Sequence, residues 1–110
     1  MKLNLNTWQR MMCVQALNAQ AGHISTIRKA LKLLEILELD EAERVDVGMV
    51  QIGDEQFTWK DQAHRFELEV ADRELAAFLK RAVAGYGNWP VLQARDTLDL
   101  FEQLGIEAEE

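Results

Sequence analysis

The chain has one cysteine, one proline and two histidines in 110 residues. A lone cysteine, Cys13, excludes an internal disulfide framework and any zinc site built from several thiolates, and it makes a reducing compartment the default. No apolar run approaches the roughly 20 residues a membrane helix needs, and the first residues carry no apolar signal-peptide core; the expected setting is the cytoplasm. A glycine-rich phosphate loop is missing too, because Gly85-Tyr86-Gly87 follows a helical pattern and lacks both the preceding strand and the lysine. Acidic residues are absent from the first 34 positions, which hold Lys2, Arg10, Arg28, Lys29 and Lys32, whereas the rest holds nineteen acidic against seven basic side chains. The formal net charge of −7 thus combines a basic start with an acidic body. Such a body repels nucleic acid overall, yet a local basic face remains available to phosphate or to an acidic protein.

What is present reads as a single domain over residues 1–110, with 48% apolar and 28% charged content, long enough for one core. The sheet-like stretch is central. Val45, Val47 and Met49 alternate with polar residues, as do Phe66, Leu68 and Val70, and Phe57 and Trp59 flank Thr58 between them. With a turn at Gly53-Asp54 and a polar connection at Lys60-Asp61-Gln62, this pattern predicts a three-stranded antiparallel meander. Gly48 precedes a shift of apolar phase to Val50 and Ile52, which predicts a bulge.

Helical patterns lie on both sides. Asn6 and Gln9 form a capping box for a first helix over about Thr7 to Gln20, with Trp8, Met11, Met12, Ala16 and Leu17 as its stripe and Gly22 as its stop. A second helix runs from about Ser25 to Glu38. Ile27, Ala30, Leu31, Leu34 and Leu37 follow helical spacing, and Leu33 and Ile36 broaden the face, so central burial is expected, with contact to another chain as the alternative. Asp40 and Glu43 repeat the capping-box spacing and suggest a short helical turn. Asp72 caps a third helix carrying Leu75, Ala76, Phe78, Leu79, Ala82 and Val83. Pro90 opens a last helix with Val91, Ala94, Leu98, Phe101 and Leu104 as its stripe and Gly105 as its stop. The order is ααβββαα, an α+β fold in which a small meander packs against about four helices. Residues 1–4 and 106–110 are expected to fray.

No catalytic constellation emerges. His23 and His64 sit in no nucleophile motif, and Cys13, mid-helix between Met12 and Val14, reads as a small buried thiol. Asp54, Glu55, Asp61 and His64 gather near hairpin turns without the spacing of a metal site, and turn geometry accounts for them. Glu67 and Glu69 alternate with apolar neighbours and so share the solvent face of a strand, where paired-carboxylate chemistry lacks a cleft. The expectation is no catalysis, no cofactor and no metal. Tyr86 and Trp89, beside Asn88 and Pro90, are residue types enriched at contact sites. Arg28 and Lys32 share a face of the second helix with Lys29 beside them, but Ser25 and Thr26 are poor base readers for a helix-turn-helix.

Three stretches, GHISTIRKALKLLE (Gly22 to Glu35), FTWK (Phe57 to Lys60) and RFELEVADRELAAFLKRA (Arg65 to Ala82), resemble a group of small proteins encoded by tailed bacteriophages. The similarity is one of pattern along nearly the whole chain. It departs at the last helix, where the group ends in tyrosine and phenylalanine and this chain has Leu98-Asp99-Leu100-Phe101. The resemblance implies a phage provenance, hence the host cytoplasm, and transfers no catalytic motif.

Together these features lead to the expectation of a non-enzymatic accessory protein that binds a host or phage protein. One form of it is a host-defence inhibitor whose acidic surface (Glu35, Glu38, Asp40, Glu41, Glu43, Glu67 and Glu69) imitates nucleic-acid phosphates. A self-associating assembly protein using helix two around Leu33 and Ile36 is the structural alternative. DNA binding through Arg28, Lys29 and Lys32 is the third.

Overall fold

The amino-terminal strand is where the fold departs most from the sequence pattern. The structure, a computed structural model, describes residues 1–54 and 56–106. Its elements are β1 (Lys2–Asn6), α1 (Thr7–Asn18), α2 (Ile24–Leu37), α3 (Glu41–Val47), β2 (Val50–Gln51), β3 (Phe57–Thr58), β4 (Arg65–Glu69), α4 (Arg73–Gly85), a 3₁₀ turn at Val91–Gln93 and α5 (Ala94–Leu104). The fold is α+β, but among the described residues the strands form two separate two-stranded antiparallel sheets, β1–β4 and β2–β3, and no three-stranded meander.

Residues 1–4, expected to fray, instead belong to β1. Leu3 pairs with Leu68 and Leu5 with Phe66, and the Met1 amino group donates to the Val70 carbonyl while Val70 N–H donates to the Met1 carbonyl. Leu3 and Leu5 are buried, and Lys2 and Asn4 face out, which is the period-two pattern of a half-buried strand. Gln103 of α5 guards the outer edge of β1. Its side-chain amide accepts from Asn4 N–H and donates to Asn4 C=O, both at 2.8 Å, so it takes the place of a neighbouring strand's peptide group.

The second correction concerns Arg44–Val47, which is helical. Asp40 Oδ1 accepts from Glu43 N–H at 2.7 Å, and Asp40 N–H donates to Glu43 Oε1. This reciprocal cap starts α3 and carries it through both valines. Only Val47 is buried, and Val45 is 75% exposed, so the Val45/Val47 alternation belonged to no sheet. Gly48 forms no bulge. It ends α3 in the left-handed conformation at φ +67°, where a Cβ would be strained.

The expected caps at Asn6 and Asp72 and the stop at Gly105 are present. Buried Leu5, Leu17, Leu33, Leu37, Leu79 and Leu100 meet in one core between the inner face of the β1–β4 sheet and helices α1, α2, α4 and α5. A smaller cluster of Leu39, Val47 and Phe66 seats α3 and the β2–β3 hairpin. Two helix phases differ from expectation. In α5 the buried positions are Thr97, Leu100 and Leu104, leaving Val91 and Leu98 exposed. In α2 they are Ala30, Leu33 and Leu37, so α2 lies against the core along one side only and its opposite side is open. Ile106 half-buries against the core, and residues 107–110, also expected to fray, lie outside the described residues.

Candidate functional site

Among the described residues, Arg10 is the side chain most heavily engaged in polar contacts. It projects from α1 into the junction of α2, α3 and β4 and is 1% exposed. Its Nε donates to the Leu37 carbonyl, and its Nη2 donates to the carbonyls of Ile36 and Glu38. These are the acceptors that the end of a helix leaves without partners. Nη1 donates to Glu43 Oε2 at 2.6 Å, and the guanidinium lies 4.7 Å from the centre of the Phe66 ring. The arginine fork thus completes α2 and anchors α3 at once. In sequence it is one of five basic residues in the first 34 positions.

That clasp narrows the acidic surface. Glu43 is held by Arg10 and Asp40 by the cap of α3, whereas Glu35, Glu38 and Glu41 remain exposed around the end of α2 and the start of α3. Glu67 and Glu69 face outward on the β1–β4 sheet opposite Asn4 and Lys2. There they border a shallow groove of about 500 Å³ that is open to solvent and floored by Leu3 and Leu68.

A second polar hub, unnoticed in the sequence, joins this sheet to α5. The Asp99 carboxylate accepts from Gln9 Nε2, Arg65 Nη2 and Gln103 Nε2 at 2.9–3.0 Å. Burial works to raise its pKa, but the hydrogen bonds from Gln9, Arg65 and Gln103 and the charge of Arg65 outweigh it, holding the carboxyl below its ordinary value. Arg65 also donates to Asn4, and Gln9 Nε2 to the Asp96 carbonyl. The hub ties secondary-structure elements together, and its Gln103 and Asn4 line the groove beside Glu67 and Glu69.

Tyr86 and Trp89 fold back onto the protein. Trp89 makes edge-on contacts with Tyr86, Phe101 and Trp8 at ring separations of 5.5, 5.3 and 6.3 Å, and Tyr86 Oη donates to Gln15 Oε1. Both are half-buried covers of the core. The exposed apolar residues of this region are Val91 and Leu92 instead.

Cys13 is fully buried, and burial pushes its thiol up to about 12 against the opposing charge of Arg10. The His64 ring lies tilted against Phe66 with ring centres 4.5 Å apart, and its Nδ1 is 3.7 Å from Asp61. Glu55 lies outside the described residues. Among the described residues no group of three or more His, Cys, Asp or Glu side chains is placed to hold a metal ion, and no helix is long and apolar enough to cross a membrane.

The outward side of α2 combines exposed apolar and charged groups. Ile24 is 67% exposed, Leu31 55% and Ile27, between them, 38%. Leu34, half-buried at the margin of this row, also packs against the core. Arg28 and Lys32 are exposed beside it, Lys29 is turned partly toward the core, and Glu35 and Glu38 close its far end. Leu33, expected at a contact face, is fully buried, and Ile36 packs against the core. Comparison with family models, with curated proteins and with solved structures finds no match.

Proposed function

We propose that this is a non-catalytic binding protein that works by protein–protein contact, with the outward side of α2 as its contact face. The observation that carries the reading is the exposed row Ile24, Ile27 and Leu31, bordered by basic side chains toward one end and acidic ones toward the other. Contiguous exposed aliphatics with a polar border are characteristic of interaction sites, whereas scattered ones carry no such meaning. The grooves among the described residues are open to solvent, and the one thiol is buried with its pKa raised. Both features suit a surface that docks better than one that turns over substrate. The resemblance to tailed-phage proteins supplies a setting, a host or phage protein in the host cytoplasm, and no residue role.

A photo-crosslinking amino acid in place of Arg28 tests the reading directly, with Lys80 on α4 as the control position. Irradiation in bacterial cells is expected to give a discrete higher-mass adduct from position 28 and little from position 80. Equal or absent adducts at the two positions would remove α2 as the contact face.

A further inference from the structure

We propose that the outward face of α2 binds a second copy of this chain, forming an antiparallel α2–α2 pair about a twofold axis. This rests on the reading of α2 as the contact face and names the occupant. Ile24, Ile27, Leu31 and Leu34 are spaced three, four and three residues apart, which is the a–d–a–d seam that packs knobs into holes. A twofold axis passing at the level of Lys29 sets Ile24 against Leu34 of the partner subunit. The same axis sets Ile27 against Leu31 of the partner subunit. Each seam residue then meets an apolar one, as a self-complementary isologous interface requires.

Charge selects the antiparallel direction. Along α2 the charged residues run from basic Arg28, Lys29 and Lys32 to acidic Glu35, with Glu38, Asp40 and Glu41 just beyond its end. A parallel pair stacks like charge on like. An antiparallel pair about this axis brings Glu35 of each helix level with the amino-terminal end of the other, where the first turn has no acidic residue. Arg28 and Glu35 flank the seam on the same side, seven residues apart. Helical side chains lean toward their own N-terminus, so Arg28 and Glu35 of the partner subunit reach toward each other.

The start of α2 lacks such charge of its own. His23 occupies the N-cap without a side-chain capping bond, and the first turn has no acidic residue, although the positive end of a helix is stabilised by negative charge. In the antiparallel pair Glu35 of the partner subunit comes level with His23. What the chain lacks locally, its copy provides.

Light scattering coupled to size-exclusion chromatography tests this on the wild type, Leu31→Glu and Leu92→Glu. Both leucines are exposed, so both variants should retain the fold, checked by circular dichroism. The wild type and Leu92→Glu are expected at twice the chain mass and Leu31→Glu at half that value. Arg28→Glu is expected to weaken the pair about tenfold or more through like-charge contact, and Arg28→Glu combined with Glu35→Arg to restore it. A wild type at one chain mass overturns the second copy while crosslinking at position 28 still decides the contact face. A double mass that Leu31→Glu leaves intact overturns this seam. Failure of the charge swap to restore pairing overturns the antiparallel direction.

Discussion

Arg10 Nη1 and Glu43 Oε2 meet at 2.6 Å across 33 residues of sequence, and this contact joins the end of one helix to the start of another. Arg10 also supplies three donors to the carbonyls of Ile36, Leu37 and Glu38. Arg10→Ala is therefore expected to destabilise the protein by about 3–5 kcal/mol, the range for breaking a buried ion pair. Glu43→Gln retains a capping oxygen and loses only the charged partner, so about 1.5–3 kcal/mol is expected. Urea unfolding of the two variants should rank them in that order.

Gly48 ends α3 at φ +67°, and a Cβ there would come 3.2 Å from Lys60 Cβ. Gly48→Ala should cost about 1–2 kcal/mol for the left-handed conformation alone. A thermal melt unchanged by this substitution would contradict the helix-cap role and readmit a strand.

Asp99 makes stability depend on acid. Its carboxyl is held below its ordinary value in the fold, so the stability it contributes is fully present above the unfolded value of about 3.9. That contribution is lost as pH falls through the lower folded value. Asp99→Asn should therefore unfold more readily than the wild type at neutral pH, with the gap closing below about pH 4. Chemical denaturation at a series of pH values measures the gap.

The Cys13 thiol, pushed up to about 12 by burial, should resist alkylation in the native protein, because the thiolate is the reactive form. Iodoacetamide at mildly alkaline pH is expected to leave the folded chain unmodified by mass and to label it completely in denaturant. Rapid labelling without denaturant would place Cys13 outside the core.

Local chemistry was legible in the sequence. The caps at Asn6 and Asp72 and the stop at Gly105 depend on residues within one turn, and each stands where its pattern indicated. Contacts that span the chain were not. β1 escaped notice because its partner lies beyond residue 64, and a five-residue alternation next to a strong helix signal is easily absorbed as a tail. Val45, Val47 and Met49 imitate a strand because three positions of alternation do not separate a period of 2 from a period of 3.6; the reciprocal Asp40–Glu43 cap decides the matter.

The candidate surface shows the same division. The excess of apolar residues on α2 was visible, but which of them face outward depends on the neighbours α2 meets. Leu33 and Ile36 turn inward, and Ile24, Ile27 and Leu31 are left outside. The Asp40–Glu43 capping box was legible, whereas the hold of Arg10 on Glu43, which withdraws that carboxylate from the acidic surface, spans 33 residues and was not.

Disulfide trapping tests the α2 face most directly. Ile27→Cys and Leu31→Cys chains, one of them tagged, would be mixed under mild oxidation, with buried Cys13 staying out of the reaction. The antiparallel pair predicts a mixed disulfide between position 27 of one chain and position 31 of the other, in clear excess over either homodimer. Absence of any linked species, or dominant linkage of Ile27→Cys to itself, would contradict it.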